Sequence, residues 1–95
     1  MVIRILDIVP GADTAKQGAL VYDPLNAALA NGSSVTVSFD GLSIATSSFV
    51  AAAFLPLLQQ YSFDDLKRRL RVINSTRQIN DMIKSRLKRE AAAAA

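Results

Sequence analysis

The chain has 95 residues, of which 51% are hydrophobic and 20% are charged, and its formal net charge is +3. This length fits one small domain, and this composition excludes intrinsic disorder, which requires low hydrophobicity and high charge. Because the sequence contains no histidine, no cysteine and a single glutamate, Glu90, it excludes histidine-based catalysis, thiolate chemistry, disulfides and metal sites built on either residue. We therefore expect a protein that is not an enzyme and needs no cofactor.

Charge and hydropathy are unevenly distributed along the chain. The longest uncharged stretch, Gly41–Phe63, is interrupted by polar residues, so no membrane span of ~20 apolar residues is predicted. Met1–Val9 contains an arginine, and no small-residue cleavage site follows it directly; we expect no signal peptide and a cytoplasmic protein. Residues 1–63 carry a net charge of −2, whereas residues 64–90 carry +5.

The first third of the chain predicts a strand and a helix. Val2–Val9 is rich in β-branched residues and is followed by a Pro-Gly turn signal, which indicates a first strand. Residues 14–30 predict a helix that begins with a capping box at Thr14. Within this segment, Asp23 and Pro24 look like a second helix start, so we expect a break or kink near Pro24.

The middle of the chain predicts a second strand and a buried helix. Ser34–Phe39 alternates hydrophobic with polar side chains, which is typical of a strand, and we expect it to be central and buried. Residues 48–60 are dominated by alanine, leucine and phenylalanine and predict a helix, kinked at Pro56 because proline has no amide hydrogen. The residues that we expect in the core are Val35, Val37, Phe39, Phe54, Leu58 and Ile83.

The last third predicts a short helix over residues 62–70, a third strand at Arg71–Asn74, and a longer helix from Thr76. The longer helix carries an apolar stripe at helical spacing, formed by Ile79, Met82, Ile83 and Leu87. Ala91–Ala95 is a low-complexity alanine tail to which we assign no function. The predicted domain therefore covers residues 1–90.

The order of these elements predicts an α/β fold. Strands that alternate with helices imply a small, mostly parallel sheet with right-handed crossovers, here of three or four strands. We expect one face of so small a sheet to stay partly open. Ligands in such folds sit beyond the carboxyl ends of strands, which directs attention to the turn after Phe39.

That turn, from Asp40 to Phe49, carries the strongest functional signal. Three consecutive hydroxyl residues, Thr46, Ser47 and Ser48, stand directly before the buried helix. A single hydroxyl is enough to cap a helix N-terminus, so three are more than capping requires. The cluster either serves the helix alone or marks a functional site.

Ser34–Leu58 resembles the centre of a STAS domain, and most of all the bacterial and phage family of STAS-like domains of unknown function. In STAS anti-sigma-factor antagonists, an Asp-Ser-Ser-Gly stretch opens the helix after a strand, and the first serine is phosphorylated. By this resemblance Ser47 takes the phospho-acceptor position, with Thr46 in place of the acidic residue and Phe49 in place of the glycine. Leu66–Asn74 and Gly18 in the first helix extend the resemblance.

The resemblance implies a small STAS-like fold and a non-enzymatic, partner-binding function. The implied partner is a GHKL-type (histidine-kinase-like) ATPase, and the implied role is partner switching. Phosphorylation of Ser47 would then change binding without changing the fold. We expect the hydroxyl of Ser47 to lie within one residue of the helix N-cap and within reach of solvent. The expected contact residues are Asp40, Thr46, Ser47, Ser48 and Phe49.

Two alternatives remain open. The densest basic run consists of Lys67, Arg68, Arg69 and Arg71, and it would be the site of a small nucleic-acid-associated protein. Nucleic-acid sites pair such charges with aromatic stacking residues, and the nearest aromatic residues, Tyr61 and Phe63, are expected in the core. A purely structural or oligomerising module, such as a homodimer, is the other alternative.

Overall fold

The computed structural model describes the backbone of residues 1–94 and the side chains of residues 1–93. Strands and helices alternate over this part of the chain. They are β1 (Val2–Arg4), α1 (Ala15–Ala30), β2 (Val35–Ser38), α2 (Ser47–Phe54), α3 (Phe63–Arg69), β3 (Leu70–Ile73) and α4 (Arg77–Ala94), with two 3-10 segments at Ile5–Asp7 and Leu55–Gln59.

The three strands form one parallel sheet in the order β1-β2-β3, which confirms the predicted α/β fold and the central position of β2. Ile3, Val37 and Val72 lie side by side in register. Ile3 and Val37 are buried in the hydrophobic core, which contains residues of α1, α2 and α4. On the opposite face Arg71 and Ile73 are exposed, Thr36 is partly exposed and Ser38 is buried, so no helix layer of the described residues covers this face but part of it is shielded. The sheet is therefore covered on one face, as expected for so few strands.

The first strand is shorter than predicted. The chain leaves the sheet after Arg4 and turns into the 3-10 segment, where the amides of Ile8 and Val9 both donate to the carbonyl of Ile5. Ile5 and Val9 are both buried, and residues four apart lie on one face of a helical turn and of a strand alike, so this spacing is compatible with both structures. The prediction of a strand through Val9 was wrong because β-branched composition does not distinguish a strand from a buried turn.

Helix α1 runs without interruption through Pro24. The predicted second helix start at Asp23 and Pro24 is therefore wrong. Buried residues lie on both sides of the proline, and Val21 and Leu25 are fully buried. Packing of this continuous face holds the helix together where proline removes one backbone hydrogen bond. The capping box is confirmed: the Thr14 side chain accepts from the amide of Gln17, and the Gln17 side chain accepts from the amide of Thr14.

Pro56 changes the helix type rather than bending one long helix. The α-helix predicted over residues 48–60 ends at Phe54, and the chain continues as the 3-10 segment Leu55–Gln59. Proline cannot donate the next α-helical hydrogen bond, and it fits the first turn of a new segment. Phe54 is fully buried, as predicted, whereas Leu58 is only partly buried against the core.

The close approach of α1 and α2 depends on Gly18. A Cβ atom placed on Gly18 would lie 2.4 Å from the carbonyl oxygen of Phe49 and 2.9 Å from the Cβ of Ala52. Only a residue without a side chain fits between the two backbones at this point. The contact fixes the start of α2 against α1, and it therefore positions the hydroxyl cluster.

Helix α4 confirms the predicted apolar stripe. Ile79, Ile83 and Leu87 are buried, and Met82 is partly buried against the core. The helix continues through Ala94, so the described part of the predicted alanine tail is helical, whereas Ala95 lies outside the described residues.

Candidate functional site

The candidate site is the loop between β2 and α2, at the carboxyl end of the central strand. Ser38, the last residue of β2, is 4% exposed, and its hydroxyl oxygen accepts hydrogen bonds from the Nδ2 of Asn74 at 3.1 Å and from the amide of Asp40 at 3.2 Å. The amide of Phe39 donates to the carbonyl of Ile73 at 3.0 Å. These bonds tie the start of the loop to the end of β3.

The exposed carboxylate of Asp40 faces β1. Arg4 donates to Asp40 at 3.3 Å and to Asp7 at 3.0 Å. Hydrogen bonds to Asp7 and Asp40 raise the pKa of Arg4 above its ordinary value. Gly41 follows with a φ of +85°, which favours glycine. Asp40 therefore shapes the turn and, through Arg4, connects it to the neighbouring strand.

Thr46 is the N-cap of α2. Its side-chain oxygen accepts from the amide of Phe49 at 3.2 Å and donates to the carbonyl of Asp13 at 2.9 Å. The amide of Thr46 also donates to the carbonyl of Ala12 at 3.0 Å. Thr46 therefore caps its own helix and holds it against the loop before α1.

Ser47 and Ser48 are the first two residues of α2, and both are exposed. Ser47 lies one residue after the N-cap, which agrees with the placement predicted from the sequence. Within the described residues, neither hydroxyl makes a hydrogen bond to the protein. Because Thr46 performs the capping, the two serines are available to solvent.

The predicted contact residues are not all on the surface. Phe49 is fully buried and helps to anchor α2 in the core. Asp40, Ser47 and Ser48 are exposed, and Thr46 is partly exposed. The structure adds Ile44, which is 70% exposed in the same loop although it is a large apolar residue. Sequence reasoning missed Ile44 because nothing in the sequence distinguishes an exposed loop isoleucine from one that is buried in the core.

The four residues of the basic run point to different parts of the molecule. Arg69 donates to the carbonyls of Leu29 and Ser33, so it holds the end of α1. Arg68 pairs with Asp65 on the surface of α3. Arg71 belongs to the open face of the sheet. Lys67, in contrast, lines a cleft between α3 and α4.

That cleft is a second candidate site, and sequence reasoning missed it. It has a volume of about 350 Å³ and lies between α3, β3 and α4. The residues of its walls come from separate segments of the chain, so no contiguous sequence motif predicts the cleft. The residues that line it are Phe63, Leu66, Lys67, Leu70, Val72, Asn80, Ile83, Lys84 and Leu87.

The described residues contain neither a metal-binding cluster nor a membrane-spanning helix. Among the side chains of residues 1–93, no group of three acidic residues is arranged to hold a metal ion. Among the helices of residues 1–94, none is both long enough and apolar enough to cross a membrane.

Comparison with known proteins identifies the family. A family model described as a STAS-like domain of unknown function matches residues 17–80, which is more than half of the chain. The matched segment includes the whole loop from Asp40 to Phe49 and most of the cleft. No curated protein and no solved structure matches the chain. With a three-stranded parallel sheet, alternating helices and this match, the chain belongs to the family of STAS-like domains of unknown function.

Proposed function

We propose that this domain is a non-enzymatic regulatory module that binds a protein partner, and that phosphorylation of Ser47 controls the binding. STAS-like domains are generally not enzymes, and the family points to a regulatory role in protein–protein interaction. The finer parts of the proposal are the modified residue, a GHKL-type ATPase as the partner, and a cytoplasmic location. The modified residue and the ATPase partner rest on the resemblance of the Thr46–Phe49 segment to the phosphorylated motif of STAS antagonists.

The observation that carries the proposal is the exposed hydroxyl of Ser47 at the start of α2. The first amides of a helix have no partner within the helix, and the helix dipole places partial positive charge there. A phosphate on Ser47 would meet this positive end. We therefore expect the modification to leave the fold intact.

The same phosphate would change the surface that a partner meets. Asp40 and Asp13 already place carboxylates near this end of the molecule, and both are exposed. Ile44 offers an exposed apolar contact in the same loop. A phosphate on Ser47 would add negative charge next to this contact and require desolvation on docking. Binding would weaken, while the buried Phe49 would keep α2 in position.

The test is to measure partner affinity for three forms of the chain: wild type, Ser47→Ala and Ser47→Asp. The partner to be tested is a GHKL-type ATPase, sought among the products of neighbouring open reading frames, and the measurement is isothermal titration calorimetry. We expect Ser47→Ala to bind like wild type and Ser47→Asp to bind at least about tenfold more weakly, because charge placed in an interface is costly. Peptide mapping after incubation with the ATPase and ATP should find the phosphate on Ser47.

Ser34→Asp is the matched control, because Ser34 is an exposed serine just before β2, whereas the loop follows the end of that strand. It should leave the affinity unchanged. Equal affinity for wild type, Ser47→Ala and Ser47→Asp would refute the switch and leave Ser47 as an ordinary first-turn residue. Thermal unfolding of each form checks that the fold is intact.

The nucleic-acid alternative is less well supported by the geometry. A phosphate-binding surface requires several cations on one face, whereas Arg69 is engaged with backbone carbonyls and Arg71 belongs to the open face of the sheet. An affinity for RNA that falls steeply with salt would favour this alternative instead.

A further inference from the structure

The cleft between α3, β3 and α4 occurs where the covered face of the sheet is incompletely covered. Leu70 and Val72 lie beside Val35 and Val37 in register. Val35 and Val37 are fully buried, whereas Leu70 and Val72 are only partly buried. The helices cover this face of the central strand completely and leave the edge strand partly open. Leu70 and Val72 pack against the core and also present part of their apolar surface to the cleft.

The apolar floor of the cleft is bordered by two lysines on opposite walls. Lys67 stands on α3 and Lys84 on α4, and both side chains are exposed. The ammonium of Lys67 lies over the ring of Phe63, 5.6 Å from its centroid. Lys67 therefore stays close to the apolar lining.

No acidic residue lines the cleft. Asp64 and Asp81 stand on the same two helices, but they are outside the lining. Among the side chains of residues 1–93, the ion pairs involve Arg4 and Arg68, and neither cleft lysine has a carboxylate within ion-pair distance. The cleft thus combines an apolar floor with two lysines that form no ion pair within the described residues.

We propose that this cleft is a docking site for an acidic amphipathic helix of a partner protein. Apolar side chains of that helix would contact Leu70 and Val72, and its carboxylates would pair with Lys67 and Lys84. A groove between two helices suits a helical segment, which is a common mode of peptide recognition. Residues 64–90 have a net charge of +5. A partner helix with negative charge would therefore be electrostatically complementary to this part of the domain.

The proposal goes beyond the Ser47 site and is independent of it. Ser47 belongs to α2 and is not among the residues of the cleft. A domain that fails to respond at Ser47 could still bind a helix here, and the reverse also holds. The two proposals can therefore fail separately.

The test uses nuclear magnetic resonance of the full chain with a synthetic helical peptide of leucine, alanine and glutamate. The leucines repeat at i, i+3, i+4 and i+7, which gives the peptide one apolar face. We expect chemical-shift changes at Leu70, Val72, Ile83 and Lys84 as the peptide is added. Reversing both lysines, Lys67→Glu with Lys84→Glu, should weaken binding about tenfold, because attraction is replaced by repulsion.

Arg89→Glu is the matched control, because Arg89 is an exposed cation on α4 that does not line the cleft. It should change the affinity by less than about twofold. The same chemical-shift changes should appear with Ser47→Asp. A peptide in which lysine replaces glutamate should not bind.

Three outcomes would overturn the proposal. The acidic peptide could cause no shifts at millimolar concentration, or it could shift residues elsewhere. Decanoate alone could reproduce the shifts while the peptide does not, which would make the cleft a site for small amphipathic anions. All variants keep the buried core residues, and the dispersion of their spectra reports whether they are folded.

Discussion

At the scale of single residues, the hydroxyl of Thr46 caps α2 and leaves both Ser47 and Ser48 without a capping role. Thr46 takes the N-cap and bonds to the loop before α1. The motif of the STAS anti-sigma-factor antagonists that this segment resembles has an acidic residue there, and threonine is also a favoured capping residue. The replacement therefore leaves the helix start intact. Ser47 therefore has no capping role to lose. A residue that is modified at a partner surface must be free of such a role.

Gly18 is a second residue with a role that the structure defines. We expect Gly18→Ala to destabilise the domain by about 1–3 kcal/mol, because the added methyl group would collide with the carbonyl oxygen of Phe49. Helix propensity alone predicts the opposite, a gain of about 1 kcal/mol. Urea unfolding measures the difference.

The neighbouring exposed position provides the control for Gly18. Ala19→Gly should destabilise the domain by about 1 kcal/mol through propensity alone. Both changes should therefore lower stability, although they exchange the same two residue types in opposite directions. A stabilised Gly18→Ala variant would mean that α1 and α2 are not in close contact.

At the scale of elements, the central strand holds the fold together. Val37 is fully buried in β2, between Ile3 and Val72. We expect Val37→Asp to unfold the domain, because it buries an unpaired charge. Circular dichroism should then show no cooperative thermal transition.

The adjacent residue of the same strand is the matched control. Thr36 is partly exposed on the open face, where Arg71 is its neighbour in register. Thr36→Asp should keep the thermal transition, because the new carboxylate remains hydrated and lies next to a cation. If both aspartate variants behave alike, the assignment of the two faces is incorrect.

At the scale of the whole molecule, Arg69 connects α3 to the end of α1. It donates to the carbonyls of Leu29 and Ser33, and its guanidinium lies 5.3 Å from the ring centroid of Tyr61. Arg69→Ala should cost about 2 kcal/mol in the free energy of unfolding, because a partly buried charged hydrogen bond to the carbonyl of Leu29 and an exposed one to the carbonyl of Ser33 are lost.

Arg68 gives the comparison, because it is adjacent in sequence and has the same charge. Its pair with Asp65 is on the surface, so Arg68→Ala should cost less than about 1 kcal/mol. Denaturant unfolding of the two variants measures both values. Equal losses in the free energy of unfolding would show that the hydrogen bonds of Arg69 do not stabilise the end of α1.

The sequence by itself determined the order of strands and helices, the parallel sheet, most of the core and the candidate hydroxyl cluster. These features follow from local periodicity and capping chemistry, as at Val35 and Val37 or at Thr14. The resemblance to STAS-like domains was also visible in the residues around Ser47, and the family match confirms the family.

Only the tertiary structure decided the features that depend on residues far apart in the chain. Packing on both sides of Pro24 kept α1 whole. The turn after Arg4, in which the amides of Ile8 and Val9 donate to the carbonyl of Ile5, ended β1. The cleft beside Lys84 arises from three separate elements. The contiguous basic run was dispersed because successive side chains on a helix and then a strand point in different directions. Local sequence determines the periodicity from which strands and helices are predicted. The contacts that change the boundaries of these elements join residues far apart in the chain, so they form only in the folded structure.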